Sequence, residues 1–310
     1  MTTAPSLVSV VIPTRNGGTR LGEVLEALRL QECPFQVEIV AVDSGSCDET
    51  LEQLARSRVR VQRVPPGDFD HGETRNLGIR LSRGDPVVLL SQDAVPADRS
   101  FLRELVRPFA DPRVAGAYGR QIPRADCDVA TRRRLARGPA GRTAPALARL
   151  DGGRLSDLPP AEQLALCTLD NVCSALRRAV WEAIAFPRTD FGEDVAWGRA
   201  VISAGWALAY TPAAAVVHSH RRSLGDEYRR MRLDHRRLHE LFGLALVPRW
   251  RDVLRASAAN LRSDLPDTWR AAGLSAEGAR RLLRAACLAV ATPVAQYQGR
   301  RDARRPAARA

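Results

Sequence analysis

The chain has 310 residues, with 45% hydrophobic and 26% charged residues, which suits a folded enzyme-sized globule and argues against a disordered chain. No apolar run reaches the roughly 18 to 20 residues a membrane span needs, and "MTTAPSLVSVVIP" lacks the basic start of a signal peptide, so a cytoplasmic protein is expected. The formal net charge is +12 and every cation is an arginine; from Arg221 to the end, 20 Arg face 9 acidic residues, so that third carries +11. Such a stretch suits an anionic surface as partner and equally suits solvated helix faces.

"LVSVVI" (7–12) is an apolar, β-branched strand ending at Pro13, and Leu21, Val24, Leu25 and Leu28 then recur at helical spacing. "VEIVAV" (37–42) predicts a second strand, followed by a helix capped from Ser46 or Asp48. "VRVQRV" (59–64) alternates as a third strand, "GETRNLGIRLSRG" suits a short helix closed by Gly84, and "PVVLL" is a fourth strand. Strands too apolar for a solvated face, alternating with helices, predict an α/β fold: a Rossmann-like, mostly parallel sheet covered by helices on both sides. Residues 122–168, rich in Arg, Ala, Pro and Gly, are expected to form a mobile segment with at most a short helix. "DFGEDVAWGRAVISAG" reads as a helix, "WALAY" and "AAVVH" as two short strands, and the chain beyond Gly225 as helical. The division expected is a catalytic domain over 1–222 and a basic helical region over 223–310. Six cysteines without a C-x-x-C pair read as free thiols.

In a parallel α/β sheet, ligands bind at the carboxyl ends of the strands. Polar clusters stand at all four predicted ends: "PTRNGG", "DSGSCDET", "PPGDFDHGETRN" and "SQDAVPAD". Turn chemistry explains any one of them; four together predict a site. The first turn lacks G-x-G-x-x-G, and without lysine no Walker loop is possible. A phosphate ligand then needs a metal or arginine to balance it, and Asp93 can offer a hard oxygen to Mg²⁺ or Mn²⁺.

"VSVVIPTRN", "VDSGSCDET", "SQDA" and "FGEDVAWG", in this order, resemble an inverting glycosyltransferase of family 2 over roughly residues 7 to 222. "DFDHGETRNLG" followed by "LLSQDA" is similar to the rhamnosyltransferase branch, which uses a dTDP-sugar. The resemblance implies a GT-A fold and a reaction in which a sugar, L-rhamnose as first choice, passes to a glycan or lipid-linked acceptor. It implies donor contacts at Thr14, Asn16, Asp43, His71, Arg75, Gln92 and Asp93, although His71 reads equally as a turn residue. Asn171, Cys173 and Glu193 would face the acceptor. Asp194 would be the base that takes the acceptor's proton opposite the leaving diphosphate. Asp93 matches the last acid of the family's D-x-D motif, whose first acid is here Ser91. A second metal ligand is expected from "VVHSH", His218 first and His220 in reserve.

The partners expected are therefore a nucleotide-diphosphate sugar, a glycan or lipid-linked acceptor, and the inner membrane surface through the basic C-terminal third, with no nucleic acid. A non-catalytic nucleotide-sugar-binding or scaffold protein is the alternative that the halved D-x-D motif favours.

Overall fold

The structure is a computed structural model that describes residues 5–220, 222–272 and 275–304. Residues 1–4, where the signal-peptide reading begins, lie outside them. The chain divides into two compact units. The first holds residues 1–124 and 135–218, and the second holds 125–134 and 219–310.

The first unit opens as its apolar pattern dictates. β1 (Leu7–Thr14), α1 (Gly18–Arg29), β2 (Gln36–Asp43), α2 (Thr50–Arg56), β3 (Arg60–Arg63), α3 (His71–Leu81) and β4 (Val87–Leu90) alternate. β1 pairs in parallel with β2 and β4, and β2 with β3. Val8, Val10, Val11 and Ile12 are fully buried, as a central strand covered on both faces requires. After β5 (Val95–Pro96) and α4 (Phe101–Val106) come β6 (Val114–Ile122), α5 (Val129–Arg137), whose residues up to Arg134 belong to the second unit, β7 (Ala146–Ala148), α6 (Pro160–Cys167) and β8 (Cys173–Leu176). α7 (Arg178–Ala183), α8 (Glu193–Ser203) and β9 (Ala207–Val217) complete the unit. The sheet runs β3-β2-β1-β4-β8-β6-β9-β5, with β7 on β9. β8 enters antiparallel to both β4 and β6, so the expected parallel sheet reverses direction there.

Two expectations need correction. "WALAY" and "AAVVH" are one strand, β9, whose register against β6 jumps from Gly119–Thr211 to Arg120–Ala215. The jump lifts Pro212 out of the ladder, and a residue without an N–H needs no partner there. Residues 122–168 are not an unstructured run but hold α5, β7 and α6. Part of the reason is electrostatic. Within the second unit, Arg133 pairs with Asp264 at 3.0 Å and also with Asp267, and Arg134 pairs with Glu227 at 3.1 Å. Arginines that look like solvated tail charges are anchors.

The rest of the second unit is α9 (Leu224–Phe242), α10 (Trp250–Ala272) and α11 (Ala276–Ala303). Ser223 caps α9 by accepting the Asp226 N–H at 3.1 Å, and Ser275 caps α11 through the Gly278 N–H at 2.9 Å. Among the described residues no helix is long and apolar enough to cross a membrane.

Candidate active site at the carboxyl rim

The loops after β1 and β2 are laced together. The Asp43 carboxylate is fully buried and accepts from the backbone N–H groups of Gly45 and Ser46, both at 3.1 Å. Its Oδ1 accepts from Ser46 Oγ at 2.5 Å and Thr14 Oγ1 at 3.3 Å. Asn16 sits at φ 49°, a left-handed conformation that asparagine tolerates better than most residues. It donates its N–H to Ser46 Oγ and accepts the Cys47 N–H on Oδ1, each at 2.9 Å. Gln92 closes the other side: its Oε1 accepts the Arg15 N–H at 2.9 Å and its Nε2 donates to the Arg15 carbonyl at 3.0 Å. The neutral residue inside the SQD triplet thus ties the β4 loop to the β1 loop, as one rung of a ladder would.

A cleft between these loops is lined by Thr14, Arg15, Ser44, Phe69, His71, Arg75, Ser91, Gln92 and Asp93. It gathers five of the seven expected donor residues; Asn16 and Asp43 are not among its lining residues. Phe69, whose ring meets that of His71 edge-on with centroids 4.8 Å apart, was not singled out from the sequence.

The signature "DFDHGETRN" divides into scaffold and site. Asp70 caps α3 by accepting the Glu73 N–H at 2.9 Å, and its other oxygen accepts the Thr189 N–H at 3.0 Å. Asn76 donates to the Phe186 carbonyl and accepts from the Trp181 indole N–H, both at 2.9 Å. A Cβ on Gly72 would come within 2.2 Å of the Pro187 carbonyl oxygen. These three residues clamp α3 to the segment leading into α8; His71 and Arg75 line the cleft.

That segment ends at Gly192, whose φ of 71° starts α8 and sets Glu193 and Asp194 in its first turn. The two acids are driven apart. Burial pushes Glu193 upward, but Arg75, His71 and a hydrogen bond from Asn171 outweigh it, leaving Glu193 below the usual carboxylate range. Glu193 Oε1 lies 3.0 Å from Arg75 Nη1 and accepts from Asn171 Nδ2 at 3.1 Å. Asp194 is pushed up to about 8, first by desolvation and then by the negative charges of Glu193 and Asp170; the N–H groups of Val195 and Asn171 offset this only in part. Arg75 Nε is buried and has no hydrogen-bond partner among the described residues.

Asp93 and His218 meet, with Oδ1 and Nε2 3.5 Å apart. His218 Nδ1 lies 2.9 Å from Gln121 Oε1, and Gln121 Nε2 donates to Asp170 Oδ2 at 2.5 Å. Arg124 donates to the Asp93 backbone carbonyl at 2.6 Å, which holds the turn in place. His220 belongs to the second unit. Asp170, Asn171 and Val172 connect the parts: Asp170 to Gln121, Asn171 to both acids of α8, and the Val172 carbonyl to the Ser91 N–H. Cys173 is 1% exposed within the sheet core, and burial pushes its thiol far up. It is a packing residue and is withdrawn as an acceptor contact. Gln121 and Asp170 escaped the sequence reading because β6 and the 170–172 turn lie beyond the regular βα alternation.

Residues 9–182 match Glycosyl transferase family 2, and the chain belongs to that family and is one of its enzymes. This sets the scaffold reading aside. It is 31% identical over 229 residues to the O-antigen chain rhamnosyltransferase RfbN of Salmonella typhimurium, covering 72% of this chain and 69% of that one. It is 28% identical to the pre-mycofactocin glycosyltransferase of Mycobacterium tuberculosis over 71% of this chain and 44% of the relative. The mannosyltransferase PcManGT of Pyrobaculum calidifontis, solved with GDP-Man and Mn²⁺, shares the fold with a TM-score of 0.59 at 21% identity over 95% of this chain and 88% of that one.

Proposed function

We propose that this enzyme is an inverting transferase that moves L-rhamnose from dTDP-L-rhamnose to a hydroxyl of a glycan or lipid-linked acceptor. The observation that carries the mechanism is the placement of Glu193 and Asp194 side by side in the first turn of α8, with Glu193 3.0 Å from Arg75 and both acids bonded to Asn171. The acceptor oxygen attacks the anomeric carbon from the face opposite the diphosphate. The bond to the diphosphate breaks with its electron pair, and Asp194, having first released its own proton, takes the hydroxyl proton. Glu193 stays anionic and holds Arg75 and Asn171 in position. Arg75, with an unsatisfied buried N–H, suits an anionic oxygen of the donor. The donor sugar is supported by the likeness to rhamnosyltransferases, whose O-antigen chain substrates favour a growing polysaccharide as acceptor.

Asp93 and His218 fit a divalent cation: a hard carboxylate oxygen and an imidazole nitrogen face one another, a donor pair that favours Mn²⁺ over Mg²⁺. When bound there, the ion would supply positive charge for the departing diphosphate. Release of dTDP from dTDP-rhamnose in the presence of acceptor, compared between wild type and Asp194→Asn, tests the reading. Equal rates would remove Asp194 as base, and turnover of another nucleotide sugar in preference would replace the donor.

The second unit supports a peripheral membrane role. On α10, Trp250, Leu254, Leu265 and Trp269 fall within about 100° of one another at 3.6 residues per turn, and Arg251, Arg255 and Arg262 border that stripe. Trp250 and Trp269 are 57% and 56% exposed, and Leu283 on α11 is 68% exposed. An apolar stripe flanked by arginines, in a region of net charge +11, is complementary to an anionic bilayer surface. Vesicles rich in phosphatidylglycerol should bind the protein at low salt and those of phosphatidylcholine should not, with Trp269→Ser/Leu283→Ser weakened. No binding to either overturns this, and a stable dimer would assign the stripe to a second copy.

A further inference from the structure

We infer that Gln121, anchored by Asp170, is a positioning residue that selects which nitrogen of His218 offers its lone pair toward Asp93. Donors and acceptors along a buried line leave one arrangement that satisfies them all. The Asp170 carboxylate can only accept, and its other oxygen already accepts the Val172 N–H at 3.0 Å. The Gln121 amide must therefore turn its NH₂ toward Asp170 and its carbonyl toward His218. A carbonyl facing Nδ1 requires the proton to reside on Nδ1. The lone pair of the neutral ring then lies on Nε2, the atom that faces Asp93. The backbone fixes the imidazole's position as well, since the His218 N–H donates to the Ile122 carbonyl at 2.9 Å, one residue beyond Gln121.

Free imidazole in water places its proton on either nitrogen; here the choice is made by the buried Gln121 side chain. The role rests on the metal reading of Asp93 and His218, because a cation is what makes the orientation useful. An orienting partner of this kind is worth roughly 10- to 100-fold in metal affinity.

Two measurements test it separately. Nitrogen-15 NMR of the metal-free protein at pH 9, where an ordinary imidazole is neutral, reads the tautomer directly. The chain has only five histidines, so His218→Asn identifies the signal by its loss. Protonated Nδ1 in wild type and a shift toward protonated Nε2 in Gln121→Leu are expected; protonated Nε2 in wild type overturns the inference. Mn²⁺ affinity, followed by electron paramagnetic resonance, should fall roughly 10- to 100-fold in Gln121→Leu and Asp170→Ala. Asp170→Asn, which has one oxygen for the two N–H groups of Val172 and Gln121, should not rescue it. Unchanged affinity in folded Gln121→Leu also overturns the inference. If wild type binds no Mn²⁺, the metal reading fails, and the NMR result still decides what Gln121 does to His218.

Discussion

At the β1–β2 end of the rim, Asp43 is fully buried and answered by four donors of its own chain, while Asn16 and Gln92 complete bonds between loops. At the β4–β8–α8 end, Asp194 sits in an environment that raises its pKa to about 8, Arg75 keeps a buried N–H without a partner, and Asp93 faces a histidine nitrogen. Both ends are built from the same residue types at strand ends. The first satisfies its polar groups within its own loops; the second joins charged groups from distant elements, Glu193 with Arg75 and Asp93 with His218, and leaves one buried Arg75 N–H unmatched among the described residues. A carboxylate's identity says little about its role until its partners are counted.

The largest effect that would sharpen this contrast is Asp194→Asn. Removing a general base should lower kcat about 10²- to 10⁴-fold, with donor KM nearly unchanged; a loss confined to KM would break the contrast. His218→Ala and Asp93→Asn come next. Each should cost about 10²- to 10³-fold, the usual scale for losing one electrostatic stabiliser of developing charge, and should abolish any Mn²⁺ stimulation of turnover. The pH dependence follows from the raised Asp194 group: kcat/KM should rise through about pH 8 as the carboxyl loses its proton. Glu193→Gln removes the neighbouring negative charge and should move that limb to lower pH. An acid whose folded pKa is raised stabilises the protein below its unfolded value, near pH 4, and that contribution is lost as pH rises through about 8. Asp194→Asn should therefore flatten the fall of the melting temperature over this window. The smallest effect belongs to the saturated end. Asp43→Asn should cost about 1–3 kcal/mol, read as a melting-temperature drop of several degrees, while kcat at saturating donor is kept. A kcat collapse there would show that both ends do chemistry.

Much of the first half of the first unit was legible, because β1, β2 and β4 are apolar runs between turns and polar residues collect where they end. The likeness in "SQDA" and "FGEDVAWG" pointed to Asp93 and Asp194. Cys173 was taken as an acceptor contact because it stands two residues past Asn171, whereas β8 lies between β4 and β6 with both of its faces covered, which buries all four of its residues. The scaffold role of Asp70, Gly72 and Asn76 was hidden because their partners lie about 110 residues away, at Trp181 to Thr189.

The sequence by itself determined the α/β alternation, the polar clusters at the carboxyl ends of the first strands, the family likeness and the basic C-terminal third. These depend on local periodicity and composition, which a single chain displays. Tertiary structure alone decided that β8 runs antiparallel, that Arg133 anchors α5, that Gln121 and Asp170 stand behind His218, and that the pKa values of two neighbouring acids are pushed in opposite directions. Each of those depends on which distant groups share a low-dielectric space, and separation along the chain carries no record of it.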